Sequence, residues 1–141
     1  MNNSRGFTLI ELIVVILLVG ILSAMVLPKI NFDSFKKTGG FQQGISMVRF
    51  GQKQAISSGC TVDVMLDLTM CTLTFNGCTG APIPSPGTGN NNFCANSNPG
   101  VSPAVNFSFD NIGAPTTGVQ TINFGGGKVV TVEANTGFVH E

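Results

Sequence analysis

Residues 7–27, FTLIELIVVILLVGILSAMVL, hold 21 residues and a single charge, Glu11. As a helix rising 1.5 Å per residue, this run would be about 31 Å long, close to the hydrocarbon thickness of a bilayer. Only MNNSRG precedes it, with one Arg and no acid. The run is longer than the apolar region of a secretory signal, and no small-x-small site follows it directly, so it predicts a retained membrane helix. An ordinary anchor leaves Glu11 unexplained. A carboxylate within the bilayer costs roughly 2.5 to 3.5 kcal/mol on insertion scales and calls for a partner or a purpose.

The rest of the chain is different in kind. Apolar residues thin out, and Gly, Asn and Thr become frequent. Charged residues are 10% of the 141, against about 25% in an ordinary soluble domain, and the net charge is zero. That balance speaks against a whole-chain electrostatic nucleic-acid binder. In residues 29–59, Phe41, Ile45, Val48 and Ala55 recur at helical spacing, while Arg49, Gln52 and Lys53 fall elsewhere. A second helix is expected there, weakened or bent at Gly39 and Gly40 and capped near Gly59. Lys29, Lys36 and Lys37 form a basic cluster just past the apolar run. It reads as a solvated helix face, with anionic lipid or a neighbouring subunit as the alternative contact.

After Gly59 the period changes to two. Cys60, Val62, Val64 and Leu66, then Cys71, Leu73 and Phe75, read as two strands of a hairpin turning at Leu68-Thr69. This register sets Leu66 opposite Cys71, Val64 opposite Leu73 and Val62 opposite Phe75. Residues 76–103 predict a long surface loop, since 16 of their 28 residues are Gly, Pro or Asn. Strand signals return at Val105, Phe107 and Phe109 and at Ile122 and Phe124. A last hairpin is expected from Val129 to Glu133 and Phe138 to His140, turning at Asn135-Thr136-Gly137. The fold class is therefore α+β, helical stretches followed by antiparallel strands.

The cysteines Cys60, Cys71, Cys78 and Cys94 all lie in this head, and their even number suggests disulfides in an oxidising compartment. Their spacing does not match a zinc C-x₂-C pattern, so no metal or other cofactor is expected. The hairpin register brings Cys60 near Cys78. That favours Cys60–Cys78 with Cys71–Cys94 over Cys78–Cys94 with Cys60–Cys71, and the connectivity stays open.

No constellation predicts an enzyme. His140 stands without an evident orienting partner and reads as an exposed residue of a terminal strand. Gly125-Gly126-Gly127-Lys128 lacks phosphate-loop spacing and reads as a turn before a strand. Asp110-Asn111 offers too few acids for calcium. Asn106-Phe107-Ser108 is a formal glycosylation sequon inside a strand pattern. From Cys60 to Glu141 there is one base, Lys128, against five acids, a net charge of −4, so no nucleic-acid partner is expected.

Gly6-Phe7-Thr8-Leu9-Ile10-Glu11, followed by an unbroken apolar run, resembles the cleavage motif of type IV prepilins and type II secretion pseudopilins. The resemblance is close over residues 1–30 and holds in outline beyond. It implies a leader peptide of residues 1–6, cut after Gly6 by a prepilin peptidase, and N-methylation of the new terminus, Phe7. It implies a transmembrane and filament-core helix over 7–28, a head-packing helix over 29–59 and a β head over 60–141: one long N-terminal helix, membrane-spanning in its first half, packed on a small antiparallel sheet. Glu11 would be the fifth mature residue and would pair, during filament assembly, with the Phe7 amine of an adjacent subunit. Gly20 and Pro28, the fourteenth and twenty-second residues after Gly6, stand where this family carries its helix breaks. For Pro28, a simple end to the membrane segment is the equal alternative.

The implied partners are the prepilin peptidase, other pilin subunits through their N-terminal helices, the inner membrane and the pilus assembly machinery. The implied location is the inner membrane of a Gram-negative bacterium, then a periplasm-spanning or extracellular filament. Val48–Ala55, Ser58-Gly59-Cys60 and the ending Thr136-Gly137-Phe138-Val139 resemble H-type pseudopilins and their minor-pilin relatives. The cysteine-bearing head and the tail through His140-Glu141 are most similar to minor pilins of mannose-sensitive haemagglutinin (MSHA) pili. The expected function is thus a minor structural subunit of an adhesive pilus. The alternatives are an H-type pseudopilin of a type II secretion system and a membrane-anchored surface-binding protein.

Overall fold

The computed structural model describes residues 6–26 and 32–141. The chain divides into two compact units, Met1–Phe32 and Asp33–Glu141.

The first unit carries helix α1 (Leu9–Val26), whose described side chains are all exposed. Its apolar residues go all the way round, so no polar face marks a water side. Among the described residues, no helix is long and apolar enough to cross a membrane. The expected membrane helix over 7–28 is thus met only in part. Phe7 and Thr8 precede the helix, and residues 27 and 28 lie outside the described ones. An 18-residue helix spans about 27 Å, short of a bilayer core of about 30 Å.

Helix α2 (Phe32–Ser58) buries one face, where Phe41, Ile45, Val48 and Ala55 are buried as their spacing predicts. It runs without a break through Gly39 and Gly40. Two glycines fix its approach to the strands: a Cβ at Gly44 would stand 2.5 Å from the Phe124 ring, and one at Gly51 would stand 2.8 Å from Leu73 Cδ2. Gly59 ends the helix at φ 67°, donating its N–H to Ala55 O at 3.0 Å, as a glycine C-cap does.

Six strands follow: β1 (Thr61–Leu66), β2 (Cys71–Asn76), β3 (Val105–Phe109), β4 (Gln120–Phe124), β5 (Lys128–Val132) and β6 (Val139–His140). The predicted hairpin register holds at all three pairs, Leu66↔Cys71, Val64↔Leu73 and Val62↔Phe75. The expectation of one antiparallel sheet is corrected to two, ordered β2-β1-β3 and β4-β5-β6, all antiparallel. The division has a local cause. After β3 the chain turns back beside it, with Phe109 bridged to Pro115 and Thr116 N–H donating to Ser108 O at 2.8 Å. Proline has no N–H with which to extend a ladder, and the chain leaves before β4 begins. The core joins both sheets to α2: Phe41 meets Phe124 edge to face at 5.1 Å, and Val64, Leu66, Leu73, Ile122 and Val130 are fully buried.

The 76–103 stretch is not the free surface loop its composition predicts. Ile83, Cys94 and Val101 are buried in the core. Ala81-Pro82-Ile83-Pro84 runs along the outer side of β2, where Phe75 N–H donates to Ala81 O at 3.0 Å and Ile83 N–H to Leu73 O at 2.8 Å. Further on, Phe93 N–H donates to Cys71 O at 2.9 Å. Three apolar residues spaced along a Gly/Pro/Asn-rich stretch suffice to pin it, because each finds a place in the core.

Candidate functional site

The N-terminal unit presents its chemistry in the open. Gly6 and Phe7 precede the helix, Phe7 is 80% exposed, and among the described residues none would touch a side chain placed at Gly6. The peptide bond between them is therefore accessible. Thr8 is the N-cap of α1, and its carbonyl accepts the first helical bond, from Leu12 N–H at 3.2 Å. Glu11 N–H donates to Thr8 Oγ1 at 3.3 Å, and Thr8 N–H donates to Glu11 Oε2 at 3.5 Å. This reciprocal pair is a capping box, satisfying two of the N–H groups that a helix start leaves without partners. The Thr-x-x-Glu spacing is the sequence signal that could have revealed it. In the single chain the Glu11 carboxylate thus serves its own helix, and it lies within reach of any amine at the level of Thr8.

Helix α1 continues unbroken through Gly20, where a side chain would meet open space. Melting at Gly20, which the family resemblance implies for an assembled fibre, is not seen in the single chain. Pro28 and Lys29 lie outside the described residues.

In the head, the disulfides are Cys60–Cys78 and Cys71–Cys94, with Cα atoms 6.0 and 5.4 Å apart. The first follows from the hairpin register, because Thr61 faces Asn76, which sets Cys60 opposite Gly77, one residue from Cys78. Asn92 prepares the second. Its Oδ1 accepts the N–H of Cys71 at 3.1 Å and that of Cys94 at 3.0 Å, seating the two residues side by side.

His140 lies in the last strand with its side chain 40% exposed, as expected, but it does not stand alone: its Nε2 lies 2.8 Å from Glu133 Oε1 across the last hairpin. That hydrogen bond, above all, raises its pKa from the ordinary 6.5. Asp110 builds a turn, its Oδ1 accepting the N–H of Ile112 at 3.1 Å and of Ala114 at 2.8 Å. Gly125–Gly127 form the turn before β5. Asn106 is an exposed residue of β3. Lys128, the only base from Cys60 onward, places its Nζ 4.3 Å above the Phe41 ring as a cation–π contact. Among the described residues no three His, Cys, Asp or Glu side chains gather as metal ligands. Sequence reasoning missed the Gln52 side chain, whose Nε2 donates to Gly113 O at 3.1 Å and Thr136 O at 2.9 Å. Both bonds span more than sixty residues, and nothing local announces them.

Residues 1–27 match the family described as the prokaryotic N-terminal methylation motif, 27 of the 141 residues. No curated protein and no solved structure matches the chain.

Proposed function

We propose that this chain is a structural subunit of a type IV pilus-like filament, cut after Gly6, methylated on Phe7 and held in the inner membrane until assembly. The observation that carries the reading is the methylation motif over residues 1–27, joined to an apolar run whose one charge stands five residues past Gly6. The exposed Gly6-Phe7 bond supports it, since a peptidase needs chain it can reach. So does the character of α1, apolar on every side and exposed at its described side chains, a surface suited to lipid or to copies of itself. The apolar run of the sequence supplies the length of an anchor.

After cleavage, Phe7 carries a free positive amine one helical turn before Glu11. In an apolar filament core a buried carboxylate needs a cation, and an adjacent subunit's Phe7 amine would set the axial register of each new subunit. Within this reading the chain is a minor pilin of the MSHA type, adhesive in role and not an enzyme. The head's cysteine pairs and its tail favour that over a secretion pseudopilin.

The test combines processing and assembly. Mass spectrometry of the chain coexpressed with a prepilin peptidase should find methyl-Phe7 as its first residue; an intact N-terminus would favour a plain membrane-anchored binding protein. Glu11→Ala should be processed normally yet enter sheared filaments at a small fraction of the wild-type level. Deletion in the host should abolish filaments and spare protein secretion. Intact filaments with secreted enzymes trapped in the periplasm would make it a pseudopilin.

A further inference from the structure

We propose that the concavity between the beginning of α2 and the 95–98 turn binds a phosphate group, the headgroup phosphate of an anionic lipid being its source. The concavity measures about 480 Å³ and is lined by Lys36, Lys37, Ala95, Asn96, Ser97 and Asn98. Among the described residues that line it there are two lysines and no acid. Neither lysine forms an ion pair with a described residue. Adjacent like charges repel, and an anion between them relieves that repulsion while accepting from both.

The site is held by structure rather than by the lysines alone. Gly40 has no side chain, so the Asn98–Pro99 backbone lies directly against α2 there; any Cβ at Gly40 would collide with the Asn98 carbonyl. Lys36 and Lys37 precede Gly40 by four and three residues, which puts them on the helix surface next to that contact. The turn is fixed from its other end. Cys94 is tied to Cys71, Ser97 N–H donates to Cys94 O at 3.0 Å, and the Ser97 hydroxyl bonds to Gln43. Asn98 Oδ1 is engaged by Gly100 N–H at 2.9 Å, which leaves the amide NH₂ as that side chain's available donor. Neutral donors beside paired ammonium groups suit phosphate better than a single surface charge would.

The choice of a lipid as source rests on the membrane-anchored reading above; the anion site itself does not. Lys36 is nine residues beyond Leu27, the end of the apolar run, and nine residues of chain reach at most about 32 Å. The chain therefore tethers the site within about 32 Å of the end of that run. Basic residues beside an anchored segment add about 1 kcal/mol each near an anionic surface.

The test uses the full chain, isotope-labelled, in non-ionic detergent, reading the backbone amide resonances of Asn96, Ser97 and Asn98. The probes are short-chain phosphatidylglycerol, short-chain phosphatidylcholine and inorganic phosphate. Phosphatidylglycerol should shift these resonances saturably, weaken with added salt, and bind the K36Q/K37Q variant about thirtyfold more weakly, with the rest of the spectrum unchanged. K36R/K37R should keep most of the affinity. Inorganic phosphate binding as tightly as phosphatidylglycerol would uphold the phosphate site and overturn the lipid as its source. Equal response to phosphatidylcholine would overturn an anionic lipid as the source, and indifference to K36Q/K37Q would overturn the proposal outright. Because no readout here depends on cleavage at Gly6 or on Glu11, its failure is separable from failure of the filament reading.

Discussion

In the β2-β1-β3 sheet, one disulfide grips the chain just before β1 and another grips the first residue of β2. The turn joining them is built on Asp67, whose Oδ1 accepts the N–H of Thr69 at 2.7 Å and of Met70 at 2.6 Å. In the β4-β5-β6 sheet there is no cysteine, and the last strand has two residues. Beyond its pairing with β5, what holds that strand is helix α2. Arg49 Nη2 donates to Val139 O at 3.2 Å, and Gln52 reaches the carbonyls of Gly113 and Thr136. Both sheets meet the same helix through the same core, yet one is braced covalently and the other by polar side chains. The difference teaches that the head has a permanent half and a conditional half, and each can be loosened separately.

The largest effect should come from the covalent half. Cys71→Ala with Cys94→Ala should destabilise the head by about 2–5 kcal/mol, the usual range for a native disulfide in a small domain. Hydrogen exchange should speed up more at β1 and β2 than at β4 and β5; equal acceleration would break the comparison. Gln52→Ala attacks the other half. It removes two hydrogen bonds and leaves the buried Gly113 carbonyl without its partner, at a cost of roughly 1–3 kcal/mol. Its exchange signature should be the reverse, concentrated in β5 and β6.

Asp67→Ala should cost about 1 kcal/mol by denaturant titration, for the lost turn bonds. The N–H groups of Thr69 and then Met70 hold this carboxyl below its ordinary 3.8. A lowered folded pKa means that its contribution is present above about 3.8 and lost as pH falls through the lower folded value. The smallest effect is that of His140, and its sign is opposite. With the folded pKa raised above 6.5 by Glu133, its contribution is full below 6.5 and fades as pH rises through the folded value. Glu133→Gln should return the His140 titration, followed by NMR, towards 6.5; an unmoved midpoint would deny the pair.

The permanent half was the more legible in the sequence. Strict alternation around Leu68-Thr69 gives the β1–β2 register, and that register places Cys60 beside Cys78. The buried stripe of α2 follows equally from Phe41, Ile45, Val48 and Ala55. Local pattern could not reveal what depends on distant partners. Gln52 looks like any polar helix residue until Gly113 and Thr136 arrive. Gly44 looks like a weak point until Phe124 occupies the space above it. At the candidate processing site, Gly6, Phe7 and Glu11 were legible by motif. The bond between Thr8 and Glu11 was equally available from spacing, yet it is hidden by the stronger signal of the apolar run. The split into two sheets was not legible, because it depends on where the Pro115 segment folds back.

The segment Ala81-Pro82-Ile83-Pro84 beside β2 has a consequence for crowding. Residues of an extended segment point their N–H groups alternately to either side. Ile83 spends its own on Leu73, so the positions turned outward are Pro82 and Pro84, which have none. A second copy lying alongside finds no row of donors there on which to template a further strand. Copies stored side by side at high density can then touch along this flank without merging their sheets, and remain separable.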